Sequence, residues 1–263
     1  MHDRLLQFLT RLVSSWRRVG RDELAADRNW FLTAVALLPL LAAAVILTAP
    51  RAVRWLTAFG LPADWGKLAG LAVLPVAGIL TLVLAQAINH RRPLAERLGW
   101  RGCHKADVAG AGVVLGLVLP LILLLNMFSS AVFELCRLPV PLPVLQTWLA
   151  HADWWTVGQM AVMAVVVAPV VEEIVFRRLV FTVVGSYFGA GTGMVAASLL
   201  FAAVHDCSVQ MPALFLLGML LQLLFLSRRS LAAPILLHMG NNALAVGLLV
   251  LARLCGWYWV LDM

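Results

Sequence analysis

The stretch VAGAGVVLGLVLPLILLLNMFSSA, residues 108–131, contains no Asp, Glu, Lys or Arg in 24 positions. As a helix it is long enough to cross a hydrocarbon core of roughly 30 Å. Six further charge-free runs occupy residues 31–48, 68–89, 158–171, 190–204, 211–226 and 231–252. The runs at 190–204 and 211–226 can span a membrane only if flanking residues extend them. Because no segment shows the short alternating pattern of a closed β-barrel, the sequence predicts an all-α, polytopic membrane helical bundle of about seven to eight transmembrane helices.

The composition supports a membrane protein. The chain has 263 residues, of which 62% are hydrophobic and only 13% are charged, too few charges for the surface of a soluble domain. All ten tryptophans lie outside the apolar runs, where an indole ring is expected at the level of the lipid headgroups. They are Trp16, Trp30, Trp55, Trp65, Trp100, Trp148, Trp154, Trp155, Trp257 and Trp259.

The net charge of +7 is unevenly distributed. With seven spans and a cytoplasmic N-terminus, 15 of the 20 Lys and Arg residues fall on the inner side. They lie in 1–29, in 90–107, and at Arg177, Arg178, Arg228 and Arg229. This bias predicts a multi-pass protein of the cytoplasmic (inner) membrane with its N-terminus inside. The basic charge is therefore interpreted as a determinant of topology, and no nucleic-acid partner is expected.

Three regions differ in character. Residues 1–29 place apolar side chains on one helical face and arginines on the rest, which predicts an interfacial helix against the anionic leaflet of a lipid bilayer; a solvated basic tail is the alternative. Residues 30–157 are interpreted as an N-terminal transmembrane scaffold, in which Gly112 and Gly116 are spaced for close helix approach. Residues 158–252 differ because ionisable side chains adjoin or interrupt their apolar runs.

The ionisable residues of this last region fall in three short segments. They read EEIVFR at 172–177, FAAVH at 201–205 and HMGNN at 238–242. Ionisable side chains at membrane depth are costly and indicate a functional site. Each segment alone has a simpler interpretation, such as a solvated helix end or a packing histidine. Three such segments in this order are difficult to explain by chance.

The spacing within the segments indicates what the side chains can do. Glu173 precedes Arg177 by four residues, the favourable order for a helical ion pair, which leaves Glu172 facing elsewhere. His238 and Asn242 are also four apart and project from one face. A carboxylate, two imidazoles and a carboxamide on three helices suit the activation of a water and the stabilisation of an oxyanion.

The ordered segments resemble the CAAX-protease and bacteriocin-processing family of intramembrane proteases, whose pattern is EExxxR, then FxxxH, then HxxxN. The matching positions are Glu172, Glu173 and Arg177, then Phe201 and His205, then His238 and Asn242. The resemblance covers about residues 158–250, so that 158–252 becomes the expected protease core. Residues before this region carry no motif of the family.

The resemblance implies an intramembrane endopeptidase that cleaves a membrane-associated protein or peptide without a cofactor. It implies that Glu172 is the general base, assisted by His205, and that His238 and Asn242 stabilise the oxyanion. Glu173 and Arg177 would support the site. Prenylated C-terminal CAAX peptides, leader peptides of bacteriocins and C-terminal sorting tails are the substrate classes that it allows.

Two alternatives remain open. Glu172, His205 and His238 form a two-His-one-carboxylate set that could bind zinc with an open position for water, which would make the protein a zinc-dependent intramembrane protease. A non-catalytic membrane protein, either an immunity or scaffold factor or a small transporter, is the alternative outside enzymes.

The depth of the three segments poses a problem. If each span starts where its run starts, His205 lies roughly 22 Å deeper than the inner face, near which Glu172 and His238 would lie. Either 158–188 is one long helix that places Glu172 near mid-membrane, or 178–189 re-enters the bilayer. Pro169 and Pro234, shortly before Glu172 and His238, could open both helices or be ordinary prolines of membrane helices.

Overall fold

The computed structural model describes residues 2–26, 28–58, 65–88, 93–141, 146, 152–205 and 207–257. Within these ranges the regular structure is entirely helical, and each of the seven apolar runs lies in a helix to the extent that it is described. Trp148 and Trp259, two of the tryptophans expected at the headgroup level, lie outside the described residues. The all-α prediction is confirmed.

Ten helices are described along the chain. The first six are α1 (His2–Val13), α2 (Arg21–Ala25), α3 (Arg28–Ala58), α4 (Trp65–Ile88), α5 (Leu94–Leu98) and α6 (Lys105–Leu135), with a 3₁₀ turn at Ser15–Arg18 after α1. The next four are α7 (Trp154–Phe188), α8 (Ala190–Ala203), α9 (Met211–Arg228) and α10 (Ala232–Leu254), with a 3₁₀ turn at Ser208–Gln210 before α9.

Four segments in the described part of the chain are long and apolar enough to cross a membrane. They are Lys105–Leu135, Trp154–Phe188, Ser208–Arg228 and Ala232–Leu254. Shorter apolar helices are Arg28–Leu41, Val76–Ile88 and Ala190–Ala203. The protein is therefore a polytopic integral membrane protein.

Helix α7 is a single helix of 35 residues. Asp153 caps its start, because its carboxylate accepts hydrogen bonds from the hydroxyl and backbone N–H of Thr156, and these bonds lower the pKa of Asp153. Residues 178–188 continue the helix and do not re-enter as a separate segment. The first of the two arrangements expected from the sequence is thus the observed one, and Glu172 lies near the middle of the helix.

Two π-helical turns interrupt α7, at Met163–Val167 and Ile174–Val180. The short α-helical turn Ala168–Glu173 between them carries both glutamates. π-Turns within α-helices are rare and occur frequently at functional sites.

Close packing brings α8 against α7 and α9. A Cβ added at Gly193 would lie 2.8 Å from the Cα of Gly185 and 2.9 Å from the carbonyl oxygen of Phe181, so only glycine fits at this crossing. Gly218 on α9 lies similarly close to Ser198 on α8. The close approach expected at Gly112 and Gly116 is wrong for the described part of the chain, none of which lies within 4 Å of a Cβ added at either glycine.

The N-terminal segment packs on the bundle. Leu12 on α1 is buried, and the hydroxyl of the buried Ser15 donates a hydrogen bond to the carbonyl oxygen of Leu223 on α9 at 3.2 Å. The neighbouring Val13 is exposed. The segment is thus docked rather than a solvated tail, while its contact with an anionic leaflet stays a prediction.

Trp30 is enclosed by protein. It is only 1% exposed, and the Arg97 guanidinium lies 5.4 Å from its ring centroid. The ring is held within the bundle because it packs edge-on against Phe31, with 4.8 Å between the ring centroids. The Trp30 ring therefore packs against protein, and its depth in the membrane stays a prediction.

Candidate active site

The expected ion pair between Glu173 and Arg177 is present and fully buried. The Nε of Arg177 donates to Oε2 of Glu173 at 2.9 Å, and both side chains are 0% exposed. The Nη1 of Arg177 donates to the carbonyl oxygen of Gly218 on α9 at 2.9 Å. The guanidinium also lies 5.0 Å from the ring centroid of Phe201 on α8. Arg177 therefore connects α7 to both neighbouring helices.

His238 on α10 binds the other oxygen of the Glu173 carboxylate. Its Nδ1 lies 3.0 Å from Oε1 of Glu173, and its side chain is 1% exposed. Because an ionised carboxylate only accepts hydrogen bonds, Nδ1 carries a hydrogen. The other ring nitrogen, Nε2, lies 3.8 Å from Oε2 of Glu172.

His205, at the end of α8, is anchored in the same way. Its Nδ1 lies 2.7 Å from the carbonyl oxygen of Phe201, which can only accept, so Nδ1 again carries the hydrogen. Its Nε2 lies 3.8 Å from Oε2 of Glu172. The Phe201 ring packs against both imidazoles, with centroid distances of 4.7 Å to His205 and 5.5 Å to His238.

Three polar atoms therefore converge on one place. The Nε2 atoms of His205 and His238 both face Oε2 of Glu172. That oxygen is buried and has no hydrogen-bond partner among the described residues, although the Glu172 side chain as a whole is 15% exposed. A separation of 3.8 Å is too long for a direct hydrogen bond, so neither imidazole is bonded directly to Glu172.

The depth expected for His205 is wrong. It followed from the assumption that Glu172 ends its span near the inner face. Because α7 continues for 16 residues beyond Glu172, the glutamate lies at the level where α8 ends, and the three segments meet.

Asn242 lies one turn beyond His238 on α10 and contacts a different part of α7. Its Nδ2 donates to the carbonyl oxygen of Ala164 at 2.8 Å. The Nδ2 of the neighbouring Asn241 donates to Oδ1 of Asn242 at 3.3 Å. The structure thus brings a ring nitrogen of His205 and one of His238 within 4 Å of Glu172, whereas Asn242 bonds to the helix backbone.

Sequence reasoning did not find three groups of this site, the backbone carbonyls of Ala164 and Gly218 and the amide of Asn241. Carbonyl oxygens have no sequence signature. The sequence could have indicated Asn241, because it is adjacent to Asn242. It could also have indicated the Ala164 carbonyl, because Pro169 removes a backbone hydrogen-bond donor from α7.

The two prolines differ. Pro169 follows the first π-turn directly, so α7 does open there. Pro234 is the third residue of α10, within the first turn, where a missing N–H costs nothing. Pro234 is therefore an ordinary proline at a helix start.

The described part of the chain contains no group of three or more His, Cys, Asp or Glu side chains spaced to hold a metal ion. In the set considered for zinc, the Nε2 atoms of His205 and His238 each lie 3.8 Å from Oε2 of Glu172.

Comparison with known proteins matches the region that carries this site. Residues 153–244 match the family model described as Type II CAAX prenyl endopeptidase Rce1-like. This match supports the resemblance of the region to the CAAX-protease and bacteriocin-processing family. The membrane-embedded CAAX protease MroQ of Staphylococcus aureus (strain USA300) is 33% identical to this chain over 90 residues.

The match to MroQ covers 31% of this chain and 35% of that relative. The chain thus aligns with about a third of the length of the curated relative. No solved structure matches the chain.

Proposed function

We propose that this protein is an intramembrane endopeptidase in which Glu172 activates the attacking water. One observation carries the proposal: a single carboxylate oxygen of Glu172 faces Nε2 of both His205 and His238 at 3.8 Å, in the middle of an apolar helix. The family match supplies the reaction class. Ionisable groups so placed are costly to keep in a membrane protein without a function.

The reaction follows from the polarity of the three atoms. A water between them donates one hydrogen to Oε2 of Glu172 and is oriented by Nε2 of His205. Glu172 takes the proton as the water oxygen attacks the peptide carbonyl carbon, and the tetrahedral intermediate carries the negative charge on the former carbonyl oxygen. The C–N bond then breaks as Glu172 returns the proton to the leaving amine.

His238 suits the stabilisation of that oxyanion. When both of its nitrogens carry hydrogens, Nδ1–H bonds to Glu173 while Nε2–H points at the reacting centre. A positive His238 then lies between two carboxylates, and Arg177 balances the second of them. Charges of alternating sign, held by buried hydrogen bonds, form the preorganised environment that oxyanion stabilisation requires.

Asn242 contributes through the hydrogen that Ala164 does not use. Its Nδ2 carries two hydrogens, and one is bound to the carbonyl oxygen of Ala164. The second is available to the oxyanion as the substrate carbonyl enters between α7 and α10.

A membrane-associated protein or peptide is the proposed substrate. The family model is described as a CAAX prenyl endopeptidase, and the curated relative is named a CAAX protease. A farnesylated peptide with a C-terminal CAAX sequence is therefore the first probe. Leader peptides and C-terminal sorting tails are the next two.

The deciding variant is Glu172→Gln, which keeps the shape of the side chain but cannot take a proton from water. Purified protein in detergent is incubated with the farnesylated peptide, and mass spectrometry measures release of the C-terminal fragment. We expect cleavage by wild type and none by Glu172→Gln, with the thermal unfolding temperature unchanged. Glu134→Gln, an exposed glutamate on α6, is the matched control and should cleave normally. Cleavage by Glu172→Gln at the wild-type rate would refute the assignment.

Zinc is the alternative cofactor for the same site. Both histidines hold Nδ1 against an acceptor, a carboxylate for His238 and a carbonyl for His205, which is how metal-binding histidines are commonly anchored. In the metal-free mechanism, activity survives exhaustive chelation. Loss of activity on chelation and recovery with added zinc would assign a metal to Glu172, His205 and His238 instead.

A further inference from the structure

Pro169 removes a hydrogen bond from α7 one turn before Glu172. In an α-helix the carbonyl of one residue accepts from the N–H four residues later, and in a π-turn from the N–H five residues later. For the carbonyl of Ala164, these donors belong to positions 168 and 169. The N–H of Ala168 bonds instead to the carbonyl oxygen of Met163, and proline has no N–H. Neither of these two backbone positions therefore donates a hydrogen bond to the carbonyl oxygen of Ala164.

Asn242 on α10 supplies the donor that α7 lacks. Its Nδ2 donates to the carbonyl oxygen of Ala164 at 2.8 Å, while Asn241 donates to its Oδ1 at 3.3 Å. Because a carbonyl only accepts, the nitrogen of the Asn242 amide must face α7. Asn241 favours the same orientation, since its own Nδ2–H requires an oxygen opposite it. A carbonyl left unpaired in such apolar surroundings is costly, so this contact stabilises the bulged helix.

The contact ties α10 to α7 at a second point. The first tie joins His238 to Glu173, directly after Glu172. The second joins Asn242 to Ala164, two helical turns before Glu172. Glu172 lies between the two ties, so its height and rotation relative to His238 depend on both.

We propose that Pro169, the Ala164 carbonyl and Asn242 form a clasp that positions Glu172 against His238. Asn242 is in this respect a positioning residue, in addition to any bond it makes to the oxyanion. The role in catalysis rests on the proposed endopeptidase function, whereas the coupling between Pro169 and Asn242 does not. The two can therefore be tested apart.

A double-mutant cycle measures the coupling. Pro169→Ala restores an N–H at position 169, so that α7 can satisfy its own carbonyls and no longer needs Asn242. We expect Asn242→Ala to lower the thermal unfolding temperature of the detergent-solubilised full chain clearly in the wild-type background and much less in Pro169→Ala. Asn242→Asp should behave like Asn242→Ala, because an ionised carboxylate cannot donate a hydrogen bond to Ala164. If the alanine variant does not accumulate in the cells, the aspartate variant replaces it in the cycle.

Pro120→Ala is the matched control, since Pro120 is an exposed proline inside α6 and has no part in the bond between Asn242 and Ala164. The shift in unfolding temperature caused by Pro120→Ala should simply add to the shift caused by Asn242→Ala, which means that the two positions are not coupled. Equal shifts from Asn242→Ala in the wild-type and Pro169→Ala backgrounds would overturn the clasp.

Kinetics with the farnesylated CAAX peptide test the positioning role. We expect Asn242→Ala to lower kcat at least roughly tenfold with little change in KM, because the position of Glu172 affects chemistry more than binding. Asn241→Ala, which removes only the group that orients the amide, should lower kcat less, also at constant KM. A rise in KM without loss of kcat would refute positioning. Coupling between the two positions, with no cleavage of CAAX peptides, leader peptides or sorting tails by wild type, would support the clasp and refute the protease. Cleavage by wild type without coupling would support the protease and refute the clasp.

Discussion

Glu172 and Glu173 are adjacent in sequence but lie in different surroundings. Glu173 is fully buried and bonds to Arg177 and His238, whereas Oε2 of Glu172 faces two imidazole nitrogens at longer range. Their neighbours on the helix explain the difference: Arg177 lies one turn after Glu173 and bonds to it, whereas no ion pair joins Glu172 to a basic side chain of the described part of α7. We therefore expect Glu173 to act mainly in stability and Glu172 in chemistry.

This difference predicts opposite effects on stability. Glu173→Gln leaves the buried Arg177 without its counter-charge, and breaking a buried ion pair costs about 3–5 kcal/mol. We expect a clearly lower thermal unfolding temperature for Glu173→Gln, together with reduced cleavage. Glu172→Gln, measured in the same detergent, should unfold near the wild-type temperature. Equal unfolding temperatures for the two variants would contradict the structural role of Glu173.

Among the elements, α8 sets the position of His205. The helix carries His205 just beyond its C-terminal end, and it crosses α7 at Gly185 and Gly193. Any displacement at the crossing moves the end of a helix of only 14 residues. The crossing glycines therefore act on the site from a distance.

Gly193→Ala tests this dependence. The added methyl group would lie 2.8 Å from the Cα of Gly185, so α8 must move away from α7. We expect a loss of about 1–3 kcal/mol in stability, the usual cost of overpacking, and a large loss of cleavage. Gly112→Ala on α6 is the control, because nothing lies within 4 Å of its new methyl group, and alanine favours a helix by about 0.8–1 kcal/mol over glycine. Normal cleavage by Gly193→Ala would show that α8 does not set the site.

The helices were predictable because their apolar runs lack charges. The ion pair between Glu173 and Arg177 was predictable because residues four apart lie on the same face of a helix. The continuation of α7 past Arg177 and Arg178 was not predictable in the same way. Both arginines appeared to end the span, yet Arg177 is neutralised by Glu173 and bound to Gly218. The Arg178 guanidinium lies over the rings of Phe31 and Phe225. Those partners come from distant helices, so no local pattern reveals them.

At the scale of the whole molecule, one membrane topology must account for both the asymmetric distribution of basic residues and the order of the helices. A cytoplasmic N-terminus places the basic segment 90–107 inside after two spans and the end of α6 outside after three. The N-terminal segment is docked on α9 through Ser15, and with this topology we expect it at the inner surface, with its exposed arginines toward the anionic leaflet. The order of these segments across the membrane follows from a count of spans and is open to a direct measurement.

The cysteines provide that measurement. Cys103 precedes α6 and Cys136 follows it, and both are exposed, as is Cys255 after α10. In single-cysteine variants expressed in intact cells, a membrane-impermeant maleimide should label Cys136 and Cys255 from outside. Cys103 should react only after the membrane is permeabilised, because α6 separates it from Cys136 by a full span. A variant that retains only the buried Cys207 is the control, since this cysteine would be labelled only if the protein unfolded. We expect it to stay unlabelled. Labelling of Cys103 and Cys136 from the same side would show that α6 does not cross the membrane, and labelling of Cys103 alone from outside would invert the predicted orientation.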